Sequence, residues 1–394
     1  DLSTVSEDIL KTLYQELVDP EARHDLGEYY TPDWLAEYMI EKALGKHAVE
    51  QVLDPACGSG TFLAAVIRAK KRLLDKQLER TALVEHIFSS VRGVDIHPLA
   101  VILARTTYLV SLGTDLLNAR KGTIAVPVYM ANSIKLPEEN VEIYNQLEVY
   151  KVEADGKILR IPRTIVEDPN LTDIAVETIK EYSKLIAAGQ KHSKETFQSV
   201  LFLSLPTLAT FENAKAMAVV LYETAERIAE LIQAKRDAVW GFILKNIYKP
   251  LFLKQQKFDI LIGNPPWLAY RYVESVDYQA FLKKMIQDEY SLLTEAPELI
   301  PNMELASLFF VRTCDLYLKE KGTIAFVMPR GIFAADQHSG FRQEAFATKV
   351  RLKLIKLLDL RVKPLFNVPA CVIFARLGEG TSWPIDGEII EGNL

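Results

Sequence analysis

Residues 259–268 read DILIGNPPWL. An apolar run with the length and branching of a buried strand stops at Asn264, and Pro265, Pro266 and Trp267 follow. Proline has no backbone N–H, fixes its own φ and holds the residue before it extended. The tetrapeptide is therefore a stiff corner carrying one carboxamide and one large aromatic. The Asn264 side-chain carbonyl and the Pro265 backbone carbonyl can each accept a hydrogen bond, and a primary amine on a flat ring has two N–H groups to give. Accepting both would orient the amine and aim its lone pair at an electrophile. Trp267 offers a face for the ring, a stack worth ~1–3 kcal/mol per base. No cysteine nucleophile or metal is required. The chemistry that fits is transfer of an already activated group to an exocyclic amine. The plainer reading, a Pro-Pro strand terminator beside a core tryptophan, uses the same residues.

A second set of residues could hold the donor. LDPACGSGTF (53–62) ends a strand at Asp54 and opens a helix at Thr61. Gly58 and Gly60 let the backbone approach a ligand or take positive φ. The third glycine of a G-x-G-x-x-G fingerprint is missing, and so is the Gly-Lys-Ser/Thr ending of a phosphate loop. The next strand ends GVDIHP, which places Asp95 at the same sheet edge, where a carboxylate suits two ribose hydroxyls. A third ends YMANS, which places Asn132 where it could match adenine's donor–acceptor pair. Taken singly, Asp95 and Asn132 also read as caps or turns. In series, the three strand ends describe a nucleoside pocket.

The elements that must position these groups alternate. Residues 3–19 have helical spacing, and Thr31-Pro32-Asp33 starts a helix to about Leu44. Strand VEQVLD, a helix over about 61–80, strand VRGVDI (91–96), helix PLAVILARTTYLVSL and strand TIAVPVYMANS (123–133) follow. This is the rhythm of a doubly wound parallel sheet. It breaks at LEVYKVEADGKILRIP, a hairpin turning at Asp155-Gly156, and at a run of helices over about 166–250 with a break near Pro206. It resumes at KFDILIGNPP and continues with a helix over 304–320 and strands GTIAFVMP, LKLIKLLDL and ACVIFARL.

Bulk properties bound the class. The 394 residues are 49% hydrophobic and 25% charged, as in ordinary globular domains. No uninterrupted apolar run approaches the ~18 residues of a membrane span, and residues 1–20 do not read as a signal peptide. A cytoplasmic protein without membrane contact is expected. Cys57, Cys314 and Cys371 are too few and too scattered for a disulfide framework or a zinc site, and no metal is expected. The net charge of −6 argues mildly against nucleic acid. Two basic clusters, RAKKR (68–72) and KVRLKLIKLLDLRVK (349–363), could offset it locally, or the first could be a solvated face. The chain begins with Asp and reads as a piece of a longer protein.

With its glycine-loop motif before its Asn-Pro-Pro-aromatic motif, the chain resembles the S-adenosylmethionine-dependent amino-methyltransferases of DNA in the gamma arrangement. The resemblance covers about residues 24–378 apart from the insertion. It implies an α/β fold, a doubly wound and mostly parallel seven-stranded sheet of the Rossmann-like methyltransferase type, with a large helical insertion. It divides the chain into an N-terminal helix (1–23), a cofactor-binding half (24–138), a hairpin plus helical insertion (139–250), a catalytic half (251–378) and the start of a following segment (379–394).

The resemblance also assigns roles. Tyr30, Thr31 and Pro32 would help hold the methionine part of the cofactor, and Asp54, Ala56, Gly58 and Gly60 would lie along it. Asp95 would bind the ribose, with Ile96 packing on the adenine. Asn132 stands where the family usually has Asp. Asn264, Pro265, Pro266 and Trp267 match the catalytic motif, with Asn264 also at the cofactor. Phe366, in PLFNVPACVIF, would pack on a base flipped out of the duplex and sandwiched near Trp267. Members with Asn first in the motif mostly act on adenine N6. The implied partner is double-stranded DNA, with a downstream target recognition domain or other defence-system subunits. The insertion points to the large methylases of restriction-modification or phage-defence systems. N4-cytosine methylation, methylation of RNA or of a protein glutamine amide, and a catalytically silent DNA-binding subunit are the alternatives.

Overall fold

A computed structural model describes residues 31–45, 48–122, 125–136, 141–154, 156–190, 193–234, 249–363 and 365–393. The expected N-terminal helix and Tyr30 lie outside these residues. The chain divides into two compact units, one formed by residues up to Ile134 with those from Lys257 onward, the other by Lys135–Gln256.

The first unit opens with α1 (Asp33–Leu44), capped by Pro32, whose carbonyl accepts from the N–H groups of Leu35 and Ala36. Then come β1 (Val52–Asp54), α2 (Thr61–Leu74), α3 (Arg80–Ser90), β2 (Val91–Asp95), α4 (Pro98–Ala119) and β3 (Val128–Met130). The helix expected over 61–80 ends at Leu74, and α3, from Arg80, is an additional helix. The start of α3 carries no side-chain cap, so no residue announces it. The expected strand over 123–133 is short among the described residues. It begins after Pro127, which has no N–H for a ladder. By length and apolar content α4 could cross a membrane, but its apolar window is half buried in the unit.

The second unit pairs β4 (Val141–Tyr144), β5 (Leu147–Ala154) and β6 (Lys157–Pro162) in an antiparallel sheet. The expected hairpin is β5–β6, with Gly156 at φ +74° in its turn, and β4 is an addition to it. Helices α5 (Arg163–Val166), α6 (Pro169–Ala187), α7 (Lys194–Ser204), α8 (Ala214–Gln233) and α9 (Lys249–Gln256) follow. Val149, Leu159, Ile179, Phe197 and Leu221 belong to this unit's own core.

The chain returns to the first unit with β7 (Phe258–Gly263), α10 (Val276–Lys284), α11 (Leu305–Tyr317), β8 (Leu318–Pro329), α12 (Ser339–Arg342), β9 (Leu352–Lys363), β10 (Ala370–Leu377) and β11 (Asp386–Asn393). The sheet order is β11-β9-β10-β8-β7-β1-β2-β3. Only β10 is antiparallel to its two neighbours. β1 and β2 are buried along their whole length, as parallel strands covered on both faces must be.

Seven strands were expected and eight pair. The eighth, β11, comes from the segment set apart as 379–394. It lies parallel to β9 and answers the basic side chains there: Lys356 pairs with Glu388, and Arg361 with Glu391 at 3.1 Å. Such charge complementarity across strands is invisible to hydrophobic alternation.

Candidate active site

β1 has β2 on one side and β7 on the other, both parallel to it. The chain therefore winds outward in two directions from β1, and the crevice beyond the carboxyl ends of β1 and β7 is a topological switch point, where open α/β sheets bind ligands. The glycine loop leaves β1 here and the Asn-Pro-Pro-Trp corner leaves β7.

Hydrogen bonds to β2 shape the glycine loop. The Cys57 N–H donates to Val94 O at 2.9 Å, and the Gly60 N–H donates to Cys57 O at 2.8 Å. Gly58 and Gly60 take φ of +52° and +94°. Space is open where a Gly58 β-carbon would stand, whereas one on Gly60 would meet Ala104 Cα at 3.1 Å. Gly60 is therefore required for the packing of α2 on α4. Gly58 leaves room above the loop.

Asp54 is fully buried. Its Oδ1 accepts from the Ala56 N–H at 3.1 Å, and its Oδ2 has no hydrogen-bond partner among the described residues. Burial pushes this carboxyl well above the usual carboxylate range. The Ala56 N–H opposes the rise and the Asp95 charge adds to it. Asp95 Oδ2 accepts from the Gly58 N–H and Oδ1 from the His97 N–H, each at 2.8 Å. Asp95 thus ties the loop to the end of β2. Ile96 beside it is 58% exposed, costly for an isoleucine unless something covers it. The Asn132 side chain donates from Nδ2 to the Tyr278 hydroxyl at 3.1 Å and accepts at Oδ1 from the Ile134 N–H at 3.1 Å.

Asn264 is half-buried and donates from Nδ2 to Thr31 Oγ1 at 3.3 Å. That contact turns the N–H end of the carboxamide toward the start of α1 and the carbonyl end away from it. Pro265 is buried and Pro266 half-buried. Trp267 is buried, and its indole N–H donates to Val327 O on β8 at 3.2 Å, which sets the ring's orientation. Its ring meets Phe366 in an edge contact, with centroids 5.2 Å apart and planes at 64°. The two rings touch. A base sandwiched between them, as the resemblance implies, needs about 7 Å between parallel faces, two contacts of ~3.5 Å each. One ring must move to admit it.

The structure thus pairs Thr31 with Asn264, Gly58 with Asp95 and Trp267 with Phe366. Sequence reasoning missed the residues behind them. Gly93 must lack a β-carbon because Leu63 and Cys57 fill that space, at 2.7 and 3.1 Å. Ser133 donates to Pro55 O, and Tyr317 donates to Ser133 O at 2.7 Å, so α11 holds the loop after β3 against the glycine loop. A serine beside Asn132 and a tyrosine in an apolar helix carry no spacing that announces this. His338 is fully buried, hydrogen-bonded to Glu304, and Glu304 pairs with Ala269 just beyond Trp267.

Most of the side chains in the two basic clusters have partners, while Arg72, Arg351 and Lys363 are exposed. In RAKKR, Arg68 pairs with Glu37 at 3.0 Å. Lys70 is fully buried and donates to Ala48 O and Glu50 O at 2.7 and 2.8 Å. Lys71 donates to Ser111 O and Leu112 O, both at 2.9 Å, carbonyls beside the kink in α4 at Gly113. Lys70 and Lys71 are thus turned inward onto backbone carbonyls, and Arg72 is left on the solvated face. Along 349–363, Lys349, Lys353, Lys356 and Arg361 pair with Glu289, Glu379, Glu388 and Glu391.

Comparison with known proteins identifies methylase families and relatives. Residues 89–366 match the family model described as Eco57I restriction-modification methylase, and residues 5–122 match that described as N-6 DNA Methylase. A protein of Methanocaldococcus jannaschii, provisionally named a type II restriction enzyme and methyltransferase, is 19% identical over 93% of this chain and 37% of its own length. The adenine-specific methyltransferase PglX of Streptomyces coelicolor is 31% identical over 26% of this chain and 9% of its own length. The chain therefore spans well under half of each of these relatives. Among solved structures, the DrdV–DNA complex has a TM-score of 0.53 at 15% identity, covering 98% of this chain and 30% of that one. The ATP-dependent Type ISP restriction-modification enzyme LlaBIII bound to DNA has a TM-score of 0.51 at 13% identity, covering 98% and 22%.

Proposed function

The chain belongs to the Eco57I restriction-modification methylase family, and on that premise we propose that it methylates the N6 amine of adenine in double-stranded DNA, within a restriction-modification or phage-defence system. The observation that carries the reading is the abutment of two strand ends. The glycine loop after β1 and the Asn-Pro-Pro-Trp corner after β7 leave neighbouring parallel strands at one switch point. A donor pocket and an amine-orienting corner thus share one crevice.

The residues fit S-adenosylmethionine. A buried Asp54 oxygen with no partner among the described residues is an acceptor left for a ligand donor, and this cofactor carries an ammonium. The open space over Gly58 and the exposed Ile96 suit a flat nucleoside. Asp54, Ala56, Gly58 and Gly60 would lie along it, Asp95 and Ile96 at its ribose and adenine, Asn132 at the adenine edge, and Thr31, Pro32 and Asn264 toward the reacting end. When bound, the cofactor supplies a methyl group already activated on sulfur.

The chain's own residues do the rest. The target adenine leaves the stack, and Trp267 and Phe366 give it apolar faces. The Asn264 Oδ1 and the Pro265 carbonyl accept the two amine N–H groups. This pulls electron density onto the nitrogen and fixes the direction of its lone pair. Thr31 holds the carboxamide in that orientation, and the two prolines keep both acceptors on a rigid corner.

The test uses the full-length protein, labelled S-adenosylmethionine and unmodified duplex DNA, with Asn264→Ala as control. The DNA is digested and the labelled nucleoside identified. Label on N6-methyladenine is expected, falling about 10²–10⁴-fold in the variant. Label on N4-methylcytosine overturns the target base. Label absent from DNA but present on RNA or protein overturns the substrate.

A further inference from the structure

Tyr278 stands outside every motif named above, yet its hydroxyl accepts from Asn132 Nδ2 across 146 residues of sequence. It lies in α10, in the half of the first unit that carries the Asn-Pro-Pro-Trp corner. Asn132 lies at the end of β3, beside β2, with Asp95 pairing with Met130 and the Ala131 N–H donating to Asp95 O at 2.9 Å. The Tyr278 ring lies parallel to that of Phe281, centroids 5.9 Å apart at 10°. From Tyr278 the contacts run back toward the corner. Gln279 O accepts from the Tyr270 hydroxyl at 3.0 Å, the Gln279 side chain donates to Val273 O at 2.6 Å, and Tyr270 follows Trp267 by three residues.

We infer that Tyr278 is a positioning residue of the cofactor site: it holds the nitrogen end of the Asn132 carboxamide in place at the adenine edge, while belonging to the element that follows the catalytic corner. This deepens the cofactor reading and rests on it. Two anchors define the carboxamide, the Ile134 N–H at its oxygen and the Tyr278 hydroxyl at its nitrogen. The Ile134 N–H can only donate and so decides which end is the oxygen, and the Tyr278 hydroxyl, an acceptor for the other end, restrains the nitrogen in place. The second anchor is the one that reaches this edge from α10.

The experiment measures binding of S-adenosylmethionine and S-adenosylhomocysteine to the full-length protein by calorimetry, with methyl-transfer kinetics alongside. Tyr278→Phe keeps the ring and removes the hydroxyl. It is expected to weaken cofactor binding about fivefold to tenfold and to raise the cofactor KM equally, with kcat at saturating cofactor unchanged. Asn132→Ala is expected to match it, and the double variant to lose no more than either alone. Phe281→Leu, which removes the stacked ring and leaves the hydroxyl, is expected to leave the affinity unchanged. Independent, multiplying losses in the double variant overturn the inference. So does an unchanged affinity in Tyr278→Phe, or an equal loss in Phe281→Leu. A wild-type protein that binds neither ligand overturns the cofactor reading beneath it, a result distinct from the others.

Discussion

A β-carbon placed on Gly263 would stand 2.5 Å from Oδ1 of Asp54. The last residue before the Asn-Pro-Pro-Trp corner is therefore a glycine because the first carboxylate of the glycine loop occupies the space beside it. Gly263→Ala should push Asp54 off its bond to Ala56, or part β1 from β7. A destabilisation of about 1–3 kcal/mol is expected, with cofactor affinity falling too. Denaturant unfolding and calorimetry check both. An alanine variant of wild-type stability and affinity would mean that the contact relaxes at no cost.

Asp95→Ala should separate binding from chemistry. Its two oxygens hold the Gly58 and His97 N–H groups, so the loss leaves two backbone donors unpaired and removes the proposed ribose acid. Cofactor affinity should fall at least about tenfold, whereas Asn264→Ala should bind cofactor nearly as wild type. Parallel titrations of the two variants decide. Equal losses would contradict this division of labour.

Phe366 touches Trp267 edge-on, so admitting a flipped base requires a movement of the Phe366 side chain, because the Trp267 indole is tethered to Val327. Phe366→Ala should leave cofactor affinity alone and lower transfer to duplex DNA by about 5- to 100-fold through the lost stack. Fluorescence of 2-aminopurine at the target position reports the flip directly. Wild-type brightness and rate in the variant would remove Phe366 from the site.

Lys70 is fully buried, and burial pushes its ammonium down to about 8 from 10.5. The sign follows from proton counting. Between these values the unfolded chain keeps the proton and the folded chain sheds it, so stability rises with pH across that window. Below about 8 both states are charged and the burial penalty stands in full. The unfolding free energy of wild type should therefore gain on that of Lys70→Met between pH 8 and 10.5, by at most about 3 kcal/mol. Denaturant unfolding at both ends of the window measures the gap. A constant gap would show that Lys70 titrates normally.

Much of the candidate site was legible because its residues sit at strand ends. Wherever an apolar run stops at Asp54, Asp95 or Asn264, the next side chain must lie at the edge of a parallel sheet. The α3 helix escaped because it starts without a cap, and β11 because an acidic strand finds its partner through charge. The basic clusters misled for a related reason: a lysine's sequence neighbours do not reveal whether its ammonium meets water, a carboxylate or, as for Lys70 and Lys71, backbone carbonyls.

By itself the sequence determined the alternating strands and helices on either side of the second unit, apart from α3 and β11, and the two motifs with the chemistry they support, since these follow from local spacing and from the conformational limits of glycine and proline. The tertiary structure alone decided that Gly263 gives way to Asp54, that Thr31 holds Asn264, and that Tyr278 reaches Asn132. The partners in these contacts are separated by 209, 233 and 146 residues. Only the winding of β7 against β1, after a whole second unit has intervened, brings such groups together, and no local propensity encodes a contact of that kind.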